Sequence, residues 1–175
     1  MTNNKREMTT AYKIAIRSSM IALAMVVAYL ESMIPVSMLV PGMKLGLTNV
    51  VVLFALYKFN EKEAIVINLI RIVLVGLTFG NTFSMIYSLA GGLLSGAVMI
   101  IMKKTKRVSM ITVSVLGGVF HNVGQILVAM FVLDTTAVGY YLLVLWFSGI
   151  IAGVVVGIVS SIIVKRIPDS ILASI

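Results

Sequence analysis

The residues able to do chemistry in this chain are few, and most of them sit inside apolar sequence. Arg71 falls within Ala64–Phe79, roughly 14 Å along a helix from the nearest cluster of lysines. A guanidinium at that depth in a bilayer costs at least about 2.5 kcal/mol, so it faces protein or a cavity and seeks a negative partner. Asn68 precedes it by three residues and shares its helical face. A second cluster is Phe120-His121-Asn122-Val123-Gly124-Gln125. Spacings of three and four bring His121, Asn122 and Gln125 onto one polar face, with Gly117 and Gly118 one turn earlier. A third is Lys44-Leu45-Gly46-Leu47-Thr48-Asn49, and Tyr87 and Ser88 add two hydroxyls. Together these groups suit recognition. An arginine anchors an anionic or strongly polar group, and imidazole and amides orient it through hydrogen bonds.

The acidic partners are limited to Glu7, Glu31, Glu61, Glu63, Asp134 and Asp169. Only Glu31 lies near the interior of an apolar run, so two readings of Arg71 stay open. One is a structural Arg71–Glu31 pair; the other is an arginine that awaits an anionic ligand group, with Glu31 part of the same site. Lys44 is either a cation near the mouth of that site or a side chain snorkelling to the interface. There is no cysteine, which excludes disulfides and thiolate chemistry. No histidine and acid spacing suggests a metal site, and no GxxxxGK[ST] loop is present to cradle a nucleotide. We expect a binding protein, not an enzyme, with no cofactor.

Positioning these groups requires membrane helices. The chain of 175 residues is 60% hydrophobic and 11% charged, too apolar for a soluble domain of this size. Six apolar runs predict six spans: Ala11–Met33, Leu45–Phe59, Ala64–Phe79, Thr82–Met102, Val108–Leu133 and Val138–Val164. The second is short, so it is tilted, broken or sheltered by its neighbours. The prediction is an all-α, polytopic single domain over residues 1–175. Its net charge of +8 does not signal nucleic acid. Lys5, Arg6, Lys13, Arg17, Lys58, Lys62, Lys103, Lys104, Lys106, Arg107, Lys165 and Arg166 all fall on one side if the spans alternate, and the other side has Lys44. By the positive-inside bias both termini are cytoplasmic, in contact with membrane lipids. The external loop Ile34–Lys44, with Pro35, Pro41 and Gly42, is either a lid or a plain connector.

Small residues recur at four-residue intervals: Gly149, Gly153 and Gly157; Ser88, Gly92 and Gly96; Ala11, Ala15 and Ser19; Ala24 and Ala28. Such stripes allow close backbone approach in lipid. We expect internal packing for spans 4 and 6 and a docking face for another membrane subunit on span 1.

Pro41-Gly42-Met43-Lys44-Leu45-Gly46-Leu47-Thr48-Asn49, Arg71, Tyr87-Ser88-Leu89-Ala90-Gly91-Gly92 and His121-Asn122-Val123-Gly124-Gln125 together resemble the Gx transporter family, from about residue 12 to 165. Many of its members carry the name heptaprenyl diphosphate synthase component I. The family looks like the substrate-binding S components of energy-coupling factor (ECF) importers. The resemblance implies a six-helix bundle in the bacterial cytoplasmic membrane that captures a small-molecule substrate from outside. It also implies a coupling subunit docked on the first helix and two ATPase subunits. The inherited name implies a prenyl synthase as a further possible partner. Prenyl elongation itself needs divalent metal held by several carboxylates, which these scattered acids do not offer.

Overall fold

The computed structural model describes residues 10–33 and 46–168, and these are all helix and short connections. The helices are α1 (Thr10–Ser32), α2 (Asn49–Lys58), α3 (Glu61–Thr78), α4 (Thr82–Thr105), α5 (Met110–Val132) and α6 (Tyr141–Arg166), the last preceded by a 3-10 turn over Ala137–Tyr140. The predicted all-α membrane bundle is therefore present. Four segments are long and apolar enough to cross a bilayer: Ile14–Ser32, Thr82–Thr105, Met110–Val132 and Ala137–Arg166. The α3 helix has the length but carries Glu61, Lys62, Glu63 and Arg71.

Local chemistry sets the boundaries. Asn60, Asn81 and Ser109 are extended residues whose side chains accept from the backbone N–H of Glu63, Ser84 and Thr112, at 2.9, 2.8 and 3.1 Å. Each thereby satisfies a donor that the first helical turn leaves without a partner. Lys103 and Lys104 close α4, and Lys165 and Arg166 close α6, where the helix dipole favours cations. Lys106 ends α4 in the left-handed conformation at φ 55°.

The second predicted span is the main correction. It begins at Asn49, not Leu45, because residues 46–48 form a turn around Gly46 at φ +69°. Ten residues rise only about 15 Å, half a bilayer. The helix survives because it is surrounded: Val51 to Leu56 are all buried, on every face. It packs on α1, α3 and α6 and forms the centre of the main apolar cluster with Ala24, Ala64, Ile67, Met99 and Val113.

The tightest packing joins α5 to α4 and α6. A Cβ on Gly118 would lie 2.6 Å from the Gly149 carbonyl oxygen, and one on Gly153 would lie 2.6 Å from Val115 Cα. A Cβ on Gly124 would meet the Ala90 and Gly91 backbone at 2.9 Å. The glycines of α6 thus face α5, as the spacing predicts. The α4 stripe divides: Gly92 abuts Ile72 of α3, whereas Gly96 opens onto empty space.

Polar contacts define the two ends of the bundle. At one end Lys103 Nζ donates to Leu56 O at 2.6 Å and lies 3.6 Å from Glu61, joining α4, α2 and α3. There too Arg17 grips Glu63 with two hydrogen bonds, one of them Nε to Oε2 at 2.6 Å, joining α1 to α3. Glu63 is only 8% exposed, while Arg17 stays partly in solvent. At the other end Tyr29 and Phe79 stack with ring centres 5.4 Å apart.

Candidate functional site

A polar cavity of about 60 Å³ lies inside the bundle, lined by residues from all six helices and the turn before α2. Glu31 comes from the last turn of α1, Asn49 from the first turn of α2, Arg71 from α3 and Ser88 from α4. From α5 come Ser114, Gly118, His121 and Asn122, and from α6 Gly149, Ala152, Gly153 and Val156. The glycines that bring α5 and α6 together also form part of this wall, where larger side chains would fill the space. The buried face of α2 lies between the cavity and the basic end of the bundle.

Arg71 is the chemical centre. Its Nη2 donates to Asn68 Oδ1 at 2.6 Å, and Asn68 Nδ2 in turn donates to Gly92 O at 3.3 Å. The two bonds fix the guanidinium relative to α4. Its Nε is buried without a hydrogen-bond partner among the described residues. Buried donors are nearly always satisfied, and an orphan calls for a cause such as a water, an ion or a ligand. Glu31 faces the same cavity but does not resolve the arginine. Its two oxygens accept from Gly46 N at 2.6 Å and Thr48 Oγ1 at 3.1 Å. The ion pairs among the described residues are Arg17–Glu63 and Lys103–Glu61, so Glu31 and Arg71 do not form a direct bridge. Glu31 instead clamps the turn that opens α2.

Of the residues singled out in sequence, Arg71, His121, Asn122, Asn49, Glu31 and Ser88 share the cavity. Asn122 Nδ2 donates to Leu145 O at 2.5 Å and is partly committed to holding α6. Asn68 supports Arg71 from outside the lining. Gln125 sits one turn beyond His121 on α5, away from the basic end, with its Cγ against Gly91, and Tyr87 is not part of the wall. Lys44 and the Ile34–Lys44 loop lie outside the described residues. Ser114 was missed, whereas Thr48, named with Asn49 in the third cluster, bonds Glu31 and is not part of the wall. Ser114 could have been found, since it precedes Gly118 by four and His121 by seven residues on the same stripe. On α1, Ala15 and Ser19 are exposed, while Ala24 and Ala28 are buried inside the bundle. Ala11 belongs to the part of α1 whose side chains are not described.

The cavity has room for a few waters or one small charged group. It is far below the roughly 300–1,000 Å³ that encloses a whole small molecule.

A family model described as heptaprenyl diphosphate synthase component I matches residues 20–163. No curated protein matches the chain, and no solved structure matches it.

Proposed function

The chain belongs to the heptaprenyl diphosphate synthase component I family, and on that premise we propose that it is the substrate-binding membrane subunit of an ECF-type importer. Its role is to hold a small anionic or polar metabolite taken from the extracytoplasmic side, without chemical conversion. The observation that carries this reading is the buried Arg71 Nε, unpartnered among the described residues, at a cavity that all six helices help to build. A charge-bearing orphan donor inside a membrane bundle is an unfavourable arrangement that a bound anion relieves. His121, Asn122 and Asn49 bring further hydrogen-bonding side chains to the same wall. The coupling subunit and its ATPases would dock on α1, where Ala15 and Ser19 remain open.

The test is mass spectrometry of small molecules retained by the purified protein. Wild type should retain an anionic compound that Arg71→Gln loses. Equal retention by both proteins would reject the site.

The family description favours a second reading, a non-catalytic membrane accessory of heptaprenyl diphosphate synthesis. Co-purification separates the two. An ATPase pair with a coupling protein supports import; a soluble prenyl synthase supports the accessory role. A stand-alone secondary carrier would instead show uptake that survives ATP depletion and collapses with the ion gradient.

A further inference from the structure

A second space, of about 400 Å³, runs between α3 and α4 and reaches α2. Its floor is Val52 and Leu56, both buried, so it is a groove into the bundle and not a dent in its surface. Gly96 opens its outer side, where an added Cβ would meet nothing within 4 Å. The walls are apolar with one exception, Asn68. That amide is the residue that holds the Arg71 guanidinium. The groove and the cavity share no lining residue, but Asn68 on the groove wall is hydrogen-bonded directly to Arg71 on the cavity wall.

Resting on the substrate-capture reading above, we infer that the ligand is a single-chain amphiphile with one negative charge, its head at Arg71 and its hydrocarbon chain in the α3–α4 groove. Size requires this division. The polar cavity admits a head group and nothing more, while the groove has the volume of a ligand pocket. Charge limits the head. Arg71 is the one cation lining the cavity among the described residues, and Glu31 faces the same space. A carboxylate, with two acceptor oxygens, matches a guanidinium whose buried Nε lacks a partner among the described residues. A diphosphate would bring several negative charges toward Glu31 with one arginine to offset them. Asn68 acts as a positioning residue between head and chain.

The probe is a long-chain fatty acid bearing a diazirine at its terminal carbon, added to the protein in nanodiscs and cross-linked by light. Its neutral alcohol of equal length is the control. Label should concentrate on Ile65, Leu69, Leu93 and Ala97. The acid should exceed the alcohol by about tenfold, the equivalent of one charge-assisted hydrogen bond. Gly96→Leu starts from a Cβ with nothing within 4 Å and extends into the groove, so it should fold and lose the label. Equal labelling by acid and alcohol would make the groove an ordinary lipid contact and overturn the inference. Labelling unchanged in Gly96→Leu would overturn it too, and if Arg71→Gln still loses its retained anion, the import reading stands. An Arg71→Gln protein that keeps both its retained anion and its groove label overturns both.

Discussion

At the level of single residues, the polar groups of this chain divide into those spent on structure and those left for a ligand. Glu31 is spent. It accepts from Gly46 N and Thr48 Oγ1 and so replaces the partners that a turn buried in the bundle would otherwise take from water. Glu31→Gln should loosen that turn and cost about 1–3 kcal/mol, because a charge-assisted pair becomes a neutral one. Its check is the thermal midpoint in detergent. Asn68 is spent on orientation, since it links Gly92 O to the Arg71 guanidinium. Asn68→Ala leaves both partners short of a bond, so stability should fall by about 1–3 kcal/mol. Anion retention should weaken without vanishing, because the charge of Arg71 remains. Retention at the wild-type level would show that Asn68 does not orient the arginine. The sequence reveals Arg71 because a guanidinium is conspicuous in an apolar run. It does not reveal that Glu31 is engaged elsewhere, since Gly46 and Thr48 lie fifteen and seventeen residues away and their approach depends on how α1 meets α2.

At the level of elements, two kinds of helix contact hold the site open. The contacts of α5 with α4 and α6 are made by glycines and allow no added atom. Gly118→Val should prevent α5 and α6 from closing, since even a Cβ would stand 2.6 Å from the Gly149 oxygen. Gly96→Ala should instead be neutral or stabilising by up to about 1 kcal/mol, because helical alanine is favoured over glycine and nothing lies near it. Unfolding temperatures of the two variants give the comparison, and similar losses at both positions would contradict the packing. The second kind of contact is ionic. Arg17 and Glu63 fasten α1 to the start of α3, and α1 has little other burial. Removing Arg17 leaves the buried Glu63 carboxylate without its cation, which destabilises the α1–α3 contact although the arginine itself is partly in solvent. Protease nicking within α1 should therefore rise in Arg17→Ala before the remaining helices unfold. Helix number and four of the spans are legible from hydropathy alone, and so is the role of the α6 glycine stripe. The division of the α4 stripe is not, because spacing places Gly92 and Gly96 on one face without saying that α3 covers only the first.

At the scale of the whole molecule, charge and polarity separate along the bundle axis. Lys58, Lys62, Lys103 and Lys104 gather near the end where α2 closes the interior, and Lys165 and Arg166 finish α6. Glu61 takes part in that end. Its own backbone N–H at the helix start and then Lys103 hold its carboxyl below the ordinary carboxylate range. A depressed carboxylate stabilises the fold at neutral pH, and the contribution disappears as pH falls from about 4.3 through the lower folded value. Glu61→Gln should flatten the acid limb of a stability profile. The cavity residues Glu31, Asn49 and Arg71 lie beyond α2 from this basic end, which gives the molecule a direction. If positive charge marks the cytoplasmic side, the cavity is nearer the outside and α2 is the seal beneath it. The absence of cysteine makes this directly measurable, because any single introduced thiol is the only one present. Thr136→Cys, exposed at the α5–α6 connection, should react with a membrane-impermeant maleimide on intact cells. Lys104→Cys, exposed at the basic end, should react only after permeabilisation. The reverse pattern would place the cavity on the cytoplasmic side, and a site facing that way could release or sense a metabolite but could not capture one from outside.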